Sequence, residues 1–343
     1  MSDKVLSAGF GLVLAATAGL SICCLPSHAS AQGKEELVRI QDYPGIGNLL
    51  YRIAIRKGFC KKRGLDCQLT SIPAAPLGAQ ALLANSIDVG LFPPSVQINA
   101  MVKGARLKAI GSGATRSILL IAARNDVPTP SAEKGYPALM WDLKGKKIGV
   151  PSRGTDAELQ FVFLAQKAGM KAADFTFVAV GAPNTSHGAL ISRQVDASIT
   201  YEPSGALCEV TEACKVIYRG ATSPEPKEIF DTSGAASILV ATQDTVQERA
   251  RVIDALIAAG KEAEEFVQDP ANFDEVLAIS ESYFKFDMPK GREVAIAALR
   301  SLLPGYKIGL NRPALAAVAN FLLIMKQLDM PFDASLIPYE KAP

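Results

Sequence analysis

The residues best placed to do chemistry are Ser152, Arg153, Gly154 and Thr155, in the stretch KGKKIGVPSRGTDAELQFVFLAQKAGM. Lys146 to Val150 predicts a short strand, and Pro151 stops it at a turn. Thr155 and Glu158 stand in the T-x-x-E relation of a capping box. Leu159, Val162, Phe163 and Gln166 then recur at helical spacing until Gly169, which is placed to cap the helix. Loop 152–154 is therefore expected at a helix N-terminus, where unpaired amides and the positive end of the dipole favour an anion or a polar oxygen. Arg153 adds a fixed charge able to make two parallel bonds to a carboxylate or sulfonate. The alternative is that Thr155 only caps the helix and Arg153 lies in solvent.

A second set of candidates comes from an internal echo. Ala81 to Ser95 reads ALLANSIDVGLFPPS and Ala189 to Ser204 reads ALISRQVDASITYEPS, with an aliphatic-Asp pair, an apolar strand and Pro-Ser in matching order. If the echo is structural, Phe92 to Ser95 and Tyr201 to Ser204 are equivalent loops at the carboxyl ends of equivalent strands, where open α/β sheets place ligands. Glu202 either accepts a donor from a ligand or serves the positive end of the helix that begins beyond Pro203.

The elements that must carry these loops follow in order. Leu37 to Gln41, Cys67 to Ile72, Ile87 to Leu91, Leu107 to Gly111 and Ser117 to Ala123 are expected as strands of a first lobe, with helices between the first four. Strand 146–150 opens a second lobe, with Phe175 to Val180 as its next strand and the polar loop 181–185 after that, where His187 is expected near the surface. Strand Ile238 to Thr242 is expected to rejoin the first lobe, and the rest reads as helices.

Composition limits the function classes. The chain has 343 residues, 49% hydrophobic and 20% charged, long enough for two domains. Thirty-six basic against 34 acidic residues give a net charge of +2, and with no basic cluster beyond Lys61 to Arg63 nucleic acid is not expected as a partner. Lys4, the apolar run from Val5 to Leu20 and Ala29-Ser30-Ala31 read as a secretory signal cleaved before Gln32; bulky Ile22 ahead of Cys23 disfavours a lipid anchor. Cleavage leaves four cysteines in two short-range pairs, Cys60 with Cys67 and Cys208 with Cys214, expected as disulfides rather than as a four-thiolate zinc site.

The segments ALLANSIDVGLFPPSVQINAMVKGARLKAIGS, WDLKGKKIGVPSRGTDAELQFVFLAQKAGM and GALISRQVDASITYEPS, with the signal, resemble the periplasmic substrate-binding proteins of ABC importers, of the nitrate/taurine/alkanesulfonate type. The resemblance implies a two-lobed α/β periplasmic-binding-protein fold of type II, with two crossovers and a helical C-terminal tail. With the signal and the Pro-, Gly- and Ser-rich connections read from the residues, the chain divides into a signal (1–31), a first lobe (32–125 and 238–343), a second lobe (137–220) and crossovers at 126–136 and 221–237. The resemblance also implies a monomer in the periplasm that takes a small-molecule ligand to an ABC permease, without cofactor or metal. The positions matching the family's ligand contacts are Tyr43, Phe92, Ser95, Ser112, Ser152, Arg153, Thr155, Asn184, Tyr201 and Glu202. With Arg153, they lead to the expectation of a small organic anion, while Glu202 leaves a zwitterion or a neutral compound open. Two other readings share the fold: an enzyme resembling thiamine-pyrimidine synthases or desulfinases, and a ligand-presenting sensor partner.

Overall fold

The computed structural model describes residues 34–43, 48–181 and 183–343. The predicted signal and its cleavage point lie outside them. The chain runs through β1 (Glu36–Asp42), α1 (Leu49–Arg56), β2 (Leu65–Ser71), α2 (Ala75–Leu83), β3 (Gly90–Phe92), α3 (Pro94–Val102) and β4 (Leu107–Ala114). Next come β5 (Leu119–Arg124), α4 (Ala138–Asp142), β6 (Lys147–Val150), α5 (Asp156–Lys167), β7 (Thr176–Ala179), α6 (Pro183–Ile191), β8 (Ala197–Tyr201), α7 (Ser204–Thr211) and β9 (Cys214–Arg219). After α8 (Lys227–Phe230), strand β10 (Ser237–Thr242) is followed by five helices: α9 (Gln243–Glu248), α10 (Ala250–Gln268), α11 (Phe273–Tyr283), α12 (Gly291–Leu302) and α13 (Arg312–Ile324).

Two sheets of like design result. The parallel pair β1–β2 meets the order β3-β10-β4 through a bridge from Ile40 to Val89, and β10 is antiparallel to both of its neighbours. The second sheet runs β7-β6-β8-β5-β9, with β5 antiparallel to β8 and β9. Strand for strand, β3 corresponds to β8 and β10 to β5, so the sequence echo reflects equivalent positions in two sheets. One expectation is corrected: strand 117–123 was assigned to the first lobe, yet β5 lies inside the second sheet. Leu120 to Ala123 are buried on both faces between two partners, which is why this strand reads as a continuous apolar run.

Each sheet keeps its own core. Val38, Ile40, Leu49, Leu50 and Ile53 pack with Leu256 and Ile257 of α10, so the first βα unit is closed by the tail. In the second sheet, Ile148, Val150, Phe161, Leu164 and Ile199 form the matching centre. Helices α12 and α13 tie the two together: Val294 and Ala298 pack on Ala206 and Leu207 of α7, and Phe321 meets Phe163 of α5 edge-on with centroids 5.2 Å apart. Cys60 is bonded to Cys67 and Cys208 to Cys214, as their spacing predicts, with Cα atoms 6.1 and 4.6 Å apart. Among the described residues no helix is long and apolar enough to cross a membrane.

Candidate ligand-binding site

Strands β1, β3, β6 and β8 send the chain into loops or helices at their carboxyl ends, and most of the candidate residues lie at or just beyond those ends in the chain. Helix α5 forms where the sequence predicts, with Thr155 as its N-cap and Gly169 just beyond its end at φ 84°, a left-handed conformation that glycine accepts freely. The capping box itself is replaced. Thr155 Oγ1 donates to the Ser152 carbonyl at 2.8 Å, and Glu158 reaches past Thr155 to accept from the Gly154 amide at 2.6 Å. Glu158 also takes the Arg153 guanidinium, with both Nε and Nη2 at 2.9 Å from Oε1. Arg153 further lies over the Phe177 ring, 5.6 Å from its centroid. The Gly154 amide ahead of α5 and the Arg153 cation are thus already taken by the protein's own carboxylate, which removes Arg153 from the expected anion seat, while no side chain among the described residues caps the first amides of α5 itself. Attraction between Arg153 and Glu158 draws the carboxylate one residue further back than a capping box would.

The first residue of α5 points elsewhere. Asp156 Oδ2 accepts from Ser95 Oγ at 2.8 Å. Ser95 is buried in the first turn of α3, which follows β3 of the first sheet, so this bond joins the two sheets' loops. Burial raises the Asp156 carboxyl above the ordinary carboxylate range, and the bond from Ser95 opposes that shift.

Tyr43 and Tyr201 end β1 and β8, both half-buried. Burial pushes both phenols up, and the charge that Tyr201 would carry raises Tyr43 further. Beneath Tyr43 is a pair that sequence reading missed. Arg52, 1% exposed, donates to Asp42 Oδ2 from Nε at 3.2 Å and Nη2 at 2.9 Å, and to the Tyr43 carbonyl at 2.7 Å. Asp42 Oδ1 has no partner among the described residues, and burial, opposed by Arg52, leaves the carboxyl above its usual range. The available signal was an arginine within the apolar pattern LLYRIAIR, ten positions after an acid at a strand end.

The remaining candidates separate. Phe92 is fully buried among Ile87, Ile238 and Val240, and so serves the first sheet's core. Ser112, inside β4, donates to the Ser237 carbonyl at 3.1 Å and so serves the β4–β10 pairing. Asn184 is exposed on the first turn of α6, which begins at Pro183, earlier than the expected loop allows. Glu202 takes the second of its two readings: Oε2 accepts from the Ala206 amide at 3.1 Å in the first turn of α7, and Oε1 pairs with Arg219 at 2.6 Å.

His187 departs from its expected surface position. It is buried, with Nδ1 3.5 Å from Cys214 Sγ, and burial lowers its pKa from 6.5. The unfolded chain then takes the proton more readily, so stability is lost as pH falls below about 6.5. His187→Gln should shrink the loss of unfolding free energy between pH 7 and pH 5, measured by urea titration; equal losses in both proteins would assign that acid sensitivity to the carboxylates.

Two α/β sheets bonded across the carboxyl ends of their strands, with tail helices spanning both, define a periplasmic-binding-protein fold. The chain belongs to the NMT1/THI5-like family, whose sequence profile matches residues 49–272. It is 30% identical over 270 residues to a Brucella abortus (strain 2308) protein named as a binding protein, covering 78% of this chain and 77% of that one. Among solved structures it is similar to a Bordetella bronchiseptica RB50 protein, with TM-score 0.69 and 26% identity over 90% of this chain and 96% of that one. The periplasmic aliphatic sulphonate binding protein of Escherichia coli gives the same TM-score, 0.69, at 19% identity over 90% and 98%. The periplasmic nitrate-binding protein of Synechocystis gives 0.56 at 14% identity over 71% and 65%.

Proposed function

We propose that the chain is the substrate-binding component of an ABC importer, capturing a small organic molecule in the periplasm between two lobes and handing it to the membrane permease. The observation that carries this reading is the Ser95–Asp156 bond, which joins the helix starts of the two sheets across the gap that a ligand would occupy in a two-lobed receptor. The lobes turn on the two crossings between the sheets, at 115–118 and 220–236. The first of these lies ahead of the crossing expected from sequence, because β5 belongs to the second sheet. Tyr43 and Tyr201 act as aromatic walls, and Ser152, Thr155 and Asn184 form the outer rim.

The organic-anion expectation keeps the support of neighbours that bind sulphonate or nitrate, but loses Arg153. Arg153→Ala should therefore change ligand affinity by less than about twofold and stability by about 1 kcal/mol, because Arg153 is exposed although the Glu158 carboxylate that it pairs with is buried. A tenfold loss in calorimetric titration would return Arg153 to the ligand. The enzymatic reading needs a reactive thiol beside a histidine, and Cys214 beside His187 is held in a disulfide. A thiol count on the native protein tests this, since one fast-reacting cysteine would revive catalysis.

The receptor reading is tested by native mass spectrometry of protein purified from the periplasm, followed by small-angle scattering with and without the molecule found. A smaller radius with ligand is expected. An unchanged profile at saturation would sink the closing cleft. Deleting the permease genes should abolish uptake of that molecule; unimpaired uptake would favour the sensor role.

A further inference from the structure

We propose that Asp156 is the specificity-determining residue of this cleft, selecting a ligand that presents a cationic hydrogen-bond donor, an ammonium or amidinium, to the carboxyl oxygen that Ser95 leaves free. The inference rests on the receptor reading above and names the ligand class for the same site. Asp156 stands at the start of α5, and its Oδ2 is held from the opposite sheet by Ser95 at 2.8 Å. The residue keeps part of its surface open to solvent although its carboxyl is largely desolvated by the surrounding protein. Burial and the Ser95 hydroxyl are the influences acting on that carboxyl, and no lysine or arginine among the described residues neutralises it. The nearest cation in the chain, Arg153, is bound to Glu158.

Enclosing a carboxylate without a counter-charge is costly, and ordinarily the group gains a cationic partner or stays protonated. The lobes supply no such partner, so a bound cation is the group that completes the site. An anion would meet the Asp156 carboxylate without the help of Arg153, whose charge is spent on Glu158. Rejection by like charge is an effective route to specificity. Tyr43 and Tyr201 fit the same ligand, since tyrosine faces attract cations and flat organic bodies.

Benzamidinium, benzamide and benzoate share one shape and differ in charge, so calorimetric titration of the full chain with each is decisive. Wild-type protein should bind benzamidinium at least tenfold more tightly than benzoate, and Asp156→Asn, which keeps an acceptor for Ser95, should abolish that preference. Benzamidinium affinity of the wild type should also rise as pH is raised from acid through the titration of the Asp156 carboxyl, which burial lifts above the ordinary carboxylate range; this measurement needs no variant. Equal or tighter binding of benzoate, no binding of benzamidinium, a flat pH profile, or an unchanged preference in Asp156→Asn would each overturn the assignment. If benzoate or benzamide binds and closes the lobes, the receptor reading survives that failure. If none of the three binds and no molecule co-purifies, both readings fall.

Discussion

Replacing Arg52 with alanine should lower the unfolding free energy by about 3–5 kcal/mol, the usual cost of stranding one member of a buried ion pair. Arg52 is 1% exposed, and its guanidinium holds both the Asp42 carboxylate and the Tyr43 carbonyl while lying 5.0 Å from the centroid of the Tyr283 ring. Removing it leaves the Asp42 carboxyl buried without its cation, and that carboxyl already lies above its ordinary range. Arg52→Met keeps most of the volume, so any further loss in Arg52→Ala measures the cavity. Asp42→Asn combined with Arg52→Met should recover part of the loss, because the stranded charge is then gone. The check is guanidinium unfolding of the wild type and the three variants; a loss below about 1 kcal/mol in Arg52→Ala would mean that the pair is solvated. Because Arg52 also holds the backbone at Tyr43, the variant should bind ligand more weakly than its stability loss alone explains.

Phe161→Ala should cost about 3–5 kcal/mol, as large aromatic truncations in a closed core do. The ring is fully buried and meets Phe175 and Phe177 edge-on, with centroids 5.1 and 5.7 Å away. These contacts seat α5 on the second sheet, and α5 presents Asp156 to Ser95. Phe161→Leu should lose less, because it refills most of the space. Thermal and denaturant unfolding decide the matter, and a loss under about 1.5 kcal/mol, typical of volume-conserving swaps, would show that the neighbouring rings collapse into the gap.

The helices and strands were largely legible because each is written locally. Leu49, Leu50 and Ile53 mark one face of α1, and the repeated aliphatic-Asp pairs mark β3 and β8 as equivalent. What local pattern cannot carry is partnership. The run from Leu120 to Ala123 reads the same in either sheet, since apolarity on both faces reports a central strand without naming its neighbours. The site residues divide on the same principle. Arg153 was recognised as a charge near a helix start, but only three-dimensional geometry reveals that Glu158, within the same turn, has first claim on it. Asp156 has the acidic type common in a first helical turn, and its partner lies 61 positions earlier, which no local pattern reports. Phe92 was an aromatic in a promising loop, and the register that pairs it with Ile238 turns it into the core.

The exchange of β5 and β10 also bears on the order in which the chain can fold as it is made. All five strands of the second sheet lie in one uninterrupted stretch from Leu119 to Arg219, so that sheet can close as soon as β9 has emerged. The first sheet cannot. Its strand β10 sits between β3 and β4 and begins only at Ser237, so until then β4 has no seat beside the others and the sheet remains in two parts. A fragment ending at Ala114 would expose the unpaired edges of β3 and β4, a template for aggregation, whereas a fragment spanning 115–219 holds a whole sheet. In vectorial synthesis the second lobe is thus the insert that matures first, and the first lobe is assembled around it from both ends of the chain.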